Sequence, residues 1–270
     1  MTSPPALPDF STPHSARMYD YYLGGKNNYA ADRAAADQVL TWWPGVRAAA
    51  RANREFLRRV VRHLVTEEGV RQFLDIGTGI PTEPNLHQVA QGEAPEARVV
   101  YVDKDELVLA HADALMRSSP RGRTTYVHAD VTTDVDRILD EAFQTLDPHQ
   151  PVALSLFALL HFVPDELDAH GLVRRLFEPL APGSALVISH VTPDFDPEAL
   201  GRVVDIYRSG GIATQVRGRD EVAAFFEGFD LIDPGIETPH RWRTTGAADQ
   251  AALTELDKEV SAWAGAGLRR

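Results

Sequence analysis

The segment Phe73-Leu-Asp-Ile-Gly-Thr-Gly-Ile-Pro-Thr-Glu83 constrains the fold of this chain more than any other, because an apolar run ends in a carboxylate and two spaced glycines ahead of helix-compatible sequence. That order reads as strand, tight turn and helix start. Gly77 and Gly79 can adopt positive φ and let a ligand approach backbone that a Cβ would obstruct. The N–H groups opening the next helix then face that ligand. Taken alone, these glycines fit a cofactor-binding turn and an ordinary α/β glycine turn equally well.

Three neighbouring features narrow the choice. In the dinucleotide form of this turn a third glycine would fall at position 82, where the chain has Thr82 preceded by Pro81, which argues against NAD and FAD. Asp75 stands at the end of the strand, where an anion repels a diphosphate but attracts a ligand that carries an ammonium group. A second apolar run, Arg98-Val-Val-Tyr-Val-Asp103, ends in another acid roughly 20 residues beyond the turn, the place of a ribose-binding carboxylate in a doubly wound sheet. Two such acids suit a nucleoside with an amino-acid tail, and S-adenosylmethionine is one.

Composition removes several alternatives. A chain of 270 residues with 44% hydrophobic and 24% charged residues can bury a sizeable core. Its formal charge of −12 argues against a nucleic-acid partner. No cysteine is present, which excludes disulfides and thiolate metal sites, and neither an HExxH motif nor another metal-ligand cluster occurs, so no metal is expected. The first residues lack a basic segment followed by an apolar one, and the longest nearly apolar run, Val152 to Val163, is shorter than the roughly 20 residues a bilayer requires. A cytoplasmic protein without a membrane partner is expected.

From residue 71 onward, short apolar runs alternate with amphipathic ones, the mark of βαβ units and a mainly parallel sheet. Strands are expected near Gln72–Ile76, Arg98–Asp103, Thr124–His128, Val152–Phe157, Ala185–Val191 and Phe229–Ile232, with Ala262–Leu268 a final strand on the sheet edge. Helices are expected near Pro84–Gln91, Asp105–Arg117, Asp134–Thr145, Asp165–Leu180 (capped by Asp165), Pro197–Tyr207, Arg219–Phe226 and Ala248–Val260. Upstream, Val46–Val65 carries apolar or small residues at one-face helical spacing, and its six arginines read as a solvated face. Before it, a proline-rich arm to about Pro13 precedes two short helices, Arg17–Leu23 and Ala30–Leu40, around Gly24-Gly25-Lys26-Asn27-Asn28. A hairpin whose tyrosines pack on the sheet explains this pair. Its mixture of aromatic, amide and basic side chains also suits a lid over the cofactor, with Tyr19, Tyr22, Lys26, Asn27 and Arg33 as contributors. The expected division is residues 1–65 for arm and helical lid and 66–270 for the main domain.

The motif Asp75-Ile-Gly-Thr-Gly79, the acid Asp103 and His128-Ala-Asp130 resemble the cofactor motifs of class I S-adenosylmethionine-dependent methyltransferases. More narrowly, Ser15-Ala-Arg-Met-Tyr-Asp-Tyr-Tyr-Leu-Gly-Gly-Lys-Asn-Asn-Tyr-Ala-Ala-Asp-Arg33, Arg71-Gln-Phe-Leu-Asp-Ile-Gly-Thr-Gly79 and Leu159-Leu-His-Phe-Val-Pro-Asp165 resemble an actinobacterial S-adenosyl methyltransferase family once classed as a domain of unknown function. The resemblance covers roughly residues 13–245. It implies an α/β, Rossmann-like, doubly wound sheet of seven strands, the last antiparallel. One departure is Pro81, which replaces a glycine common in the wider class.

The resemblance further implies that Gly77, Thr78 and Gly79 carry the methionine part against the backbone while Asp75 holds its ammonium. Asp103 would take the ribose hydroxyls, Lys104 would flank the adenine, and Asp130 with Val131 would take the adenine amino group and ring. Asp130 fits a helix cap or turn equally well. His161 and Asp165, just beyond the fourth strand, are the catalytic candidates, although a histidine there reads first as a structural cap of the strand or a neighbouring helix. The expected activity is methylation of a small-molecule acceptor on oxygen or nitrogen. A regulatory protein that binds S-adenosylmethionine or S-adenosylhomocysteine on the same fold is the alternative; a nucleotide-dependent oxidoreductase is opposed by Thr82.

Overall fold

Five short apolar runs form parallel strands because each is flanked by amphipathic helices that cover both faces of the sheet. The computed structural model describes residues 10–106, 108, 117–244 and 250–270. Strands β1 (Gln72–Ile76), β2 (Arg98–Asp103), β3 (Arg123–His128), β4 (Val152–Phe157) and β5 (Ala185–Val191) run parallel, with β6 (Asp230–Leu231) and an antiparallel β7 (Ala262–Leu268) completing the order β3-β2-β1-β4-β5-β7-β6. The order reverses between β1 and β4, so the carboxyl ends of these two strands diverge around a crevice at the switch point.

The final strand lies inside the sheet rather than on its edge. In its sequence, Ala262-Trp-Ala-Gly-Ala-Gly-Leu268, the five buried residues are all alanine or glycine, while Trp263 and Leu268 are half-buried. Small residues are required there: a Cβ on Gly265 would lie 2.5 Å from Ile236 Cδ1, and one on Gly267 would lie 2.9 Å from Phe229 Cβ.

Helix α3 (Val46–Thr66) packs Phe56, Leu57, Val60, Val61 and Leu64 into one core with Phe73, Val99 and Tyr101 of the sheet. It therefore belongs to the sheet body, although it falls within the expected 1–65 segment. Two of its arginines are half-buried and bound to backbone instead of forming a solvated face, contrary to expectation. Arg54 donates to the carbonyls of Thr82 and Pro84, both at 2.7 Å, and Arg59 donates to those of Trp242 and Pro239. Loops that pack on this helix have carbonyls without a ladder partner, and guanidinium groups satisfy them.

The remaining helices are α4 (Leu86–Glu93), α5 (Val135–Ala142), α6 (Ala169–Phe177), α7 (Pro197–Ser209), α8 (Arg219–Ala224) and α9 (Gln250–Val260). The helix expected over Asp105–Arg117 lies for most of its length outside the described residues, as do residues 1–9 of the expected arm. The helix expected from Asp165 begins later. Asp165–Leu167 is a 3₁₀ turn, and Asp168, at φ 53°, caps α6 by accepting from the Gly171 N–H. Among the described residues no helix is long and apolar enough to cross a membrane.

Helices α1 (Ser15–Leu23) and α2 (Ala30–Trp42) close the crevice from above. Met18, Tyr22, Ala36 and Val39 pack with Leu200 and Val203 of α7. Two buried acids fix the pair. Asp20 accepts from the Asn27 N–H and the Asn28 side chain, which winds the Gly24–Asn28 turn around one carboxylate. Asp32, fully buried, accepts from the N–H groups of His14 and Tyr29 and pairs with buried Arg17 at 3.2 Å. Removing one partner of a buried pair strands the other. Asp32→Ala is therefore expected to lower stability by about 3–5 kcal/mol. Urea denaturation checks the loss, and hydrogen exchange should show opening first over residues 14–42.

Candidate active site

The carboxyl ends of β1 and β2 place two acids side by side at the mouth of the crevice. Asp75 is buried and accepts from Ser155 Oγ on the adjacent β4 at 2.6 Å. Burial pushes its carboxyl up to about 6, against the Ser155 hydroxyl and the charge of Arg54, which favour ionisation. Asp103 is likewise buried, and burial raises it too, partly offset by the N–H groups of Asp105 at 3.0 Å and Gly79 at 2.7 Å that it accepts. Neither carboxylate makes an ion pair with a lysine or arginine in the described structure.

Between the two acids runs the glycine turn. Gly77 and Gly79 take φ of 71° and 68°. A Cβ on Gly77 would meet Leu159 at 2.6 Å, whereas one on Gly79 would meet only Ala16 of α1 at 3.9 Å, so the backbone at Gly79 lies open. Thr78 donates its hydroxyl to the Asp75 carbonyl at 3.1 Å, which tightens the turn.

At the end of β3, Asp130 accepts from the N–H and hydroxyl of Thr132 and from Lys104 Nζ at 3.3 Å. Burial alone would raise this carboxyl, but Thr132 and Lys104 outweigh it and hold it below its ordinary value. Val131 is buried beside it. Asp75, Gly77, Thr78, Gly79, Asp103, Lys104, Asp130 and Val131 all line one cleft of about 610 Å³, within the usual range for small-molecule sites.

The same cleft reaches Tyr19, Tyr22 and His161. It does not reach Lys26, Asn27, Arg33 or Asp165. Lys26 is exposed on the α1–α2 turn, while Asn27, held by Asp20, and Arg33, which donates to the backbone and side-chain oxygens of Asn28, build the hairpin instead of facing the cleft. Asp165 is drawn away by Arg217, paired at 2.6 Å, and by Gln215 at 2.8 Å.

Several residues of the cleft carried little or no sequence signal. A chain of hydrogen bonds runs from the Ala158 N–H to Ser189 Oγ, from that hydroxyl to Asn53 Oδ1 at 2.6 Å, from Asn53 Nδ2 to Tyr19 Oη and from Tyr19 to the Ala50 carbonyl. Asn53 was the readable member, a polar residue within the apolar stripe of α3. His190 closes β5 as Asp75 closes β1; its Nδ1 donates to the Val191 carbonyl and its Nε2 accepts from Arg217. Burial drives His190 down to about 3. His161 is buried next to it, with ring centroids 5.5 Å apart and an Nδ1 that has no hydrogen-bond partner. Burial, then His190 and Arg217, pushes His161 well below its ordinary value, so both rings are neutral at pH 7.

Comparison with known proteins follows the same lines. A family model described as S-adenosyl methyltransferase matches residues 2–270. Among solved structures, a DUF574 family protein from Streptomyces avermitilis is 46% identical, with 97% of this chain and 99% of that one covered and a TM-score of 0.91. A candidate methyltransferase from Thermobifida fusca is 36% identical over the whole of both chains, with a TM-score of 0.89. The plantazolicin methyltransferase in complex with S-adenosylhomocysteine shares only 12% identity over 94% of this chain and 95% of that one, at a TM-score of 0.51, a likeness of fold alone. No curated protein matches significantly.

The raised Asp75 carboxyl has a measurable consequence. A carboxyl that binds its proton more tightly folded than unfolded favours the folded state when protonated, so its ionisation removes stability as pH rises from about 4 through about 6. Asp75→Asn keeps an acceptor for Ser155 without the charge. It is expected to stabilise the ligand-free protein by about 1–3 kcal/mol at pH 8 and by almost nothing at pH 4. Denaturant titrations at the two pH values read the difference, and an equal effect at both would remove the assignment.

Proposed function

This chain belongs to the S-adenosyl methyltransferase family and is an S-adenosylmethionine-dependent enzyme of class I fold, and from that premise we propose that it methylates a small-molecule acceptor on oxygen or nitrogen inside the cleft beneath α1. The observation that carries this reading is the pair of buried, cation-free carboxylates flanking an open glycine turn. A desolvated Asp75 that pairs with no cation is stabilised by an incoming ammonium. Each oxygen of Asp103 accepts one N–H and keeps a lone pair for a ribose hydroxyl.

On this reading Gly77, Thr78 and Gly79 carry the methionine portion, Asp75 its ammonium and Asp103 the ribose. Asp130 takes the adenine amino group, Val131 packs on the ring, and Lys104 flanks it while neutralising Asp130. Helix α1 is the lid, contributing Ala16 over the glycine turn, Tyr19 through Asn53, and Tyr22; Asn27 and Arg33 hold its turn, on which Lys26 is exposed. When bound, S-adenosylmethionine supplies an electrophilic methyl group whose bonding pair remains on sulfur. The protein aligns the acceptor with that methyl and excludes water. His161 is neutral and faces the acceptor half, where it accepts the hydrogen bond of the nucleophile and takes its proton. Asp165 has no contact with reacting atoms and acts through Arg217 to hold the loop beyond β4.

Incubation with S-adenosylmethionine and a metabolite extract, read by mass spectrometry, is expected to yield S-adenosylhomocysteine together with a new methylated compound; cofactor binding without any product would favour the regulatory alternative. Asp103→Ala should weaken S-adenosylhomocysteine binding by about 1–3 kcal/mol in calorimetry. His161→Ala should leave that affinity within about twofold while slowing turnover roughly 10²-fold. Because His161 is already neutral, kcat at saturating cofactor should stay flat from about pH 6.5 to 8. A limb in that range that disappears in His161→Ala would show an imidazole that titrates normally and overturn the placement.

A further inference from the structure

The two halves of the cleft differ in charge, and that difference bears on the acceptor. Among the described residues that line it, every lysine, arginine, aspartate and glutamate belongs to α3 or to the ends of β1, β2 and β3: Arg54, Asp75, Asp103, Lys104 and Asp130. The opposite half, between α1, the turn after β4 and the segment from β5 to Val216, contributes no charged side chain among those residues. Arg217 lies just behind it, fully buried, with its guanidinium engaged by the carbonyls of Leu160 and Val163, by His190 and by Asp165.

Aromatic surface takes the place of charge in that half. Tyr22 and Tyr207 bring their hydroxyls to 3.3 Å of each other, the Tyr207 and Phe162 rings lie 5.5 Å apart, and Phe162 lies 4.3 Å from the His161 ring. Phe162 and Tyr207 are only half-buried, and both line the cleft. Ile212 lines the same wall. Half-exposed aromatic rings within a concavity, with a few hydroxyl and imidazole groups among them, match an apolar ligand that carries a small polar handle.

Resting on the reading of the cleft as a methyl-transfer site, we propose that the acceptor is a neutral aromatic compound bearing a hydroxyl group, and that the product is its methyl ether. A carboxylate or phosphate acceptor would lose its hydration without meeting a cation in that half. An aliphatic amine, cationic at neutral pH, would find no carboxylate there. A hydroxyarene needs neither. Its ring stacks against Phe162 and Tyr207 and its hydroxyl meets the His161 imidazole. The acceptor O–H bond breaks, its proton passes to His161 and then to water, and the oxygen keeps the electron pair that forms the new bond to carbon. The carbon–sulfur bond breaks with its pair left on sulfur, so charge and atoms balance.

The test uses the full chain saturated with S-adenosylhomocysteine, with binding of four probes read by calorimetry: a naphthol, the corresponding naphthoate, naphthylmethylamine and the saturated decalol. The naphthol is expected to bind about tenfold or more tighter than each of the others. Ile212→Glu, which places a carboxylate against the aromatic wall, should weaken the naphthol about tenfold or more while S-adenosylhomocysteine affinity, which also reports folding, stays within about twofold. Ile212→Leu should retain both. Turnover of the naphthol with S-adenosylmethionine should release its methyl ether. A charged probe that binds as tightly as the naphthol, equal binding of the decalol, or no probe binding beside normal S-adenosylhomocysteine binding each overturns this inference and leaves the methyltransferase reading intact. Failure to bind S-adenosylhomocysteine at all would overturn both.

Discussion

Two carboxylates held out of water at the ends of neighbouring parallel strands set the terms for the rest of this molecule. Asp75 and Asp103 are brought together because β1 and β2 pair in register and end at the same edge. Their burial is unfavourable in itself, as the raised Asp75 shows. What surrounds them can be read as a response to that strain: a hydroxyl from β4, two backbone N–H groups and, at longer range, the Arg54 charge on α3. None of these neutralises the acids fully. A site that remains short of positive charge is poised for a cationic ligand, and the stability it gives up without one returns on binding.

The roof of the cleft is fixed by a different kind of interaction. Asn53 accepts from Ser189 and donates to Tyr19, so one buried amide joins β5, α3 and α1. Ser189 in turn accepts from Ala158, a non-glycine residue held at φ 50° just beyond β4. A buried network in which each donor has a partner specifies a single arrangement, because any slip leaves polar groups unsatisfied. Helix α1 is thus anchored in register with the strands whose ends it covers. The Gly24–Asn28 turn, wound on Asp20, and the Arg17–Asp32 pair extend the same logic away from the cleft.

Elements governed by local pattern were legible in the sequence. The strands around Asp75 and Asp103, the glycine turn between them and the amphipathic α3 follow from periodicity and turn chemistry alone, and the family likeness of residues 15–33 pointed to α1 as part of the site. Properties decided by distant partners were not legible. Lys26, Asn27 and Arg33 look functional as a string, but only the fold shows that Asp20 and Asn28 turn two of them inward on the hairpin itself. Asp165 follows a proline as a helix cap would, yet Arg217, 52 residues away, claims its carboxylate. β7 escapes the sheet edge because the two-residue β6 pairs along its outer side.

The distribution of charge also bears on the chemistry. An acid placed against a sulfonium would stabilise the reactant more than the transition state, since positive charge at sulfur falls as the methyl group departs, and interactions equal or stronger in the ground state do not raise the rate. In this cleft the buried acids sit at β1 and β2, beside the turn proposed to carry the amino-acid and ribose parts, while the half proposed for the acceptor is uncharged among the described residues. Binding and transfer are thereby served by different ends of one cavity. As the methyl group leaves, the positive charge on sulfur is replaced by that of the hydroxyl's proton, which His161 takes and passes to water, so two neutral products remain against a wall of tyrosine, phenylalanine and histidine. The neutrality of His161 in the resting site, which burial enforces, leaves its ring able to accept that proton.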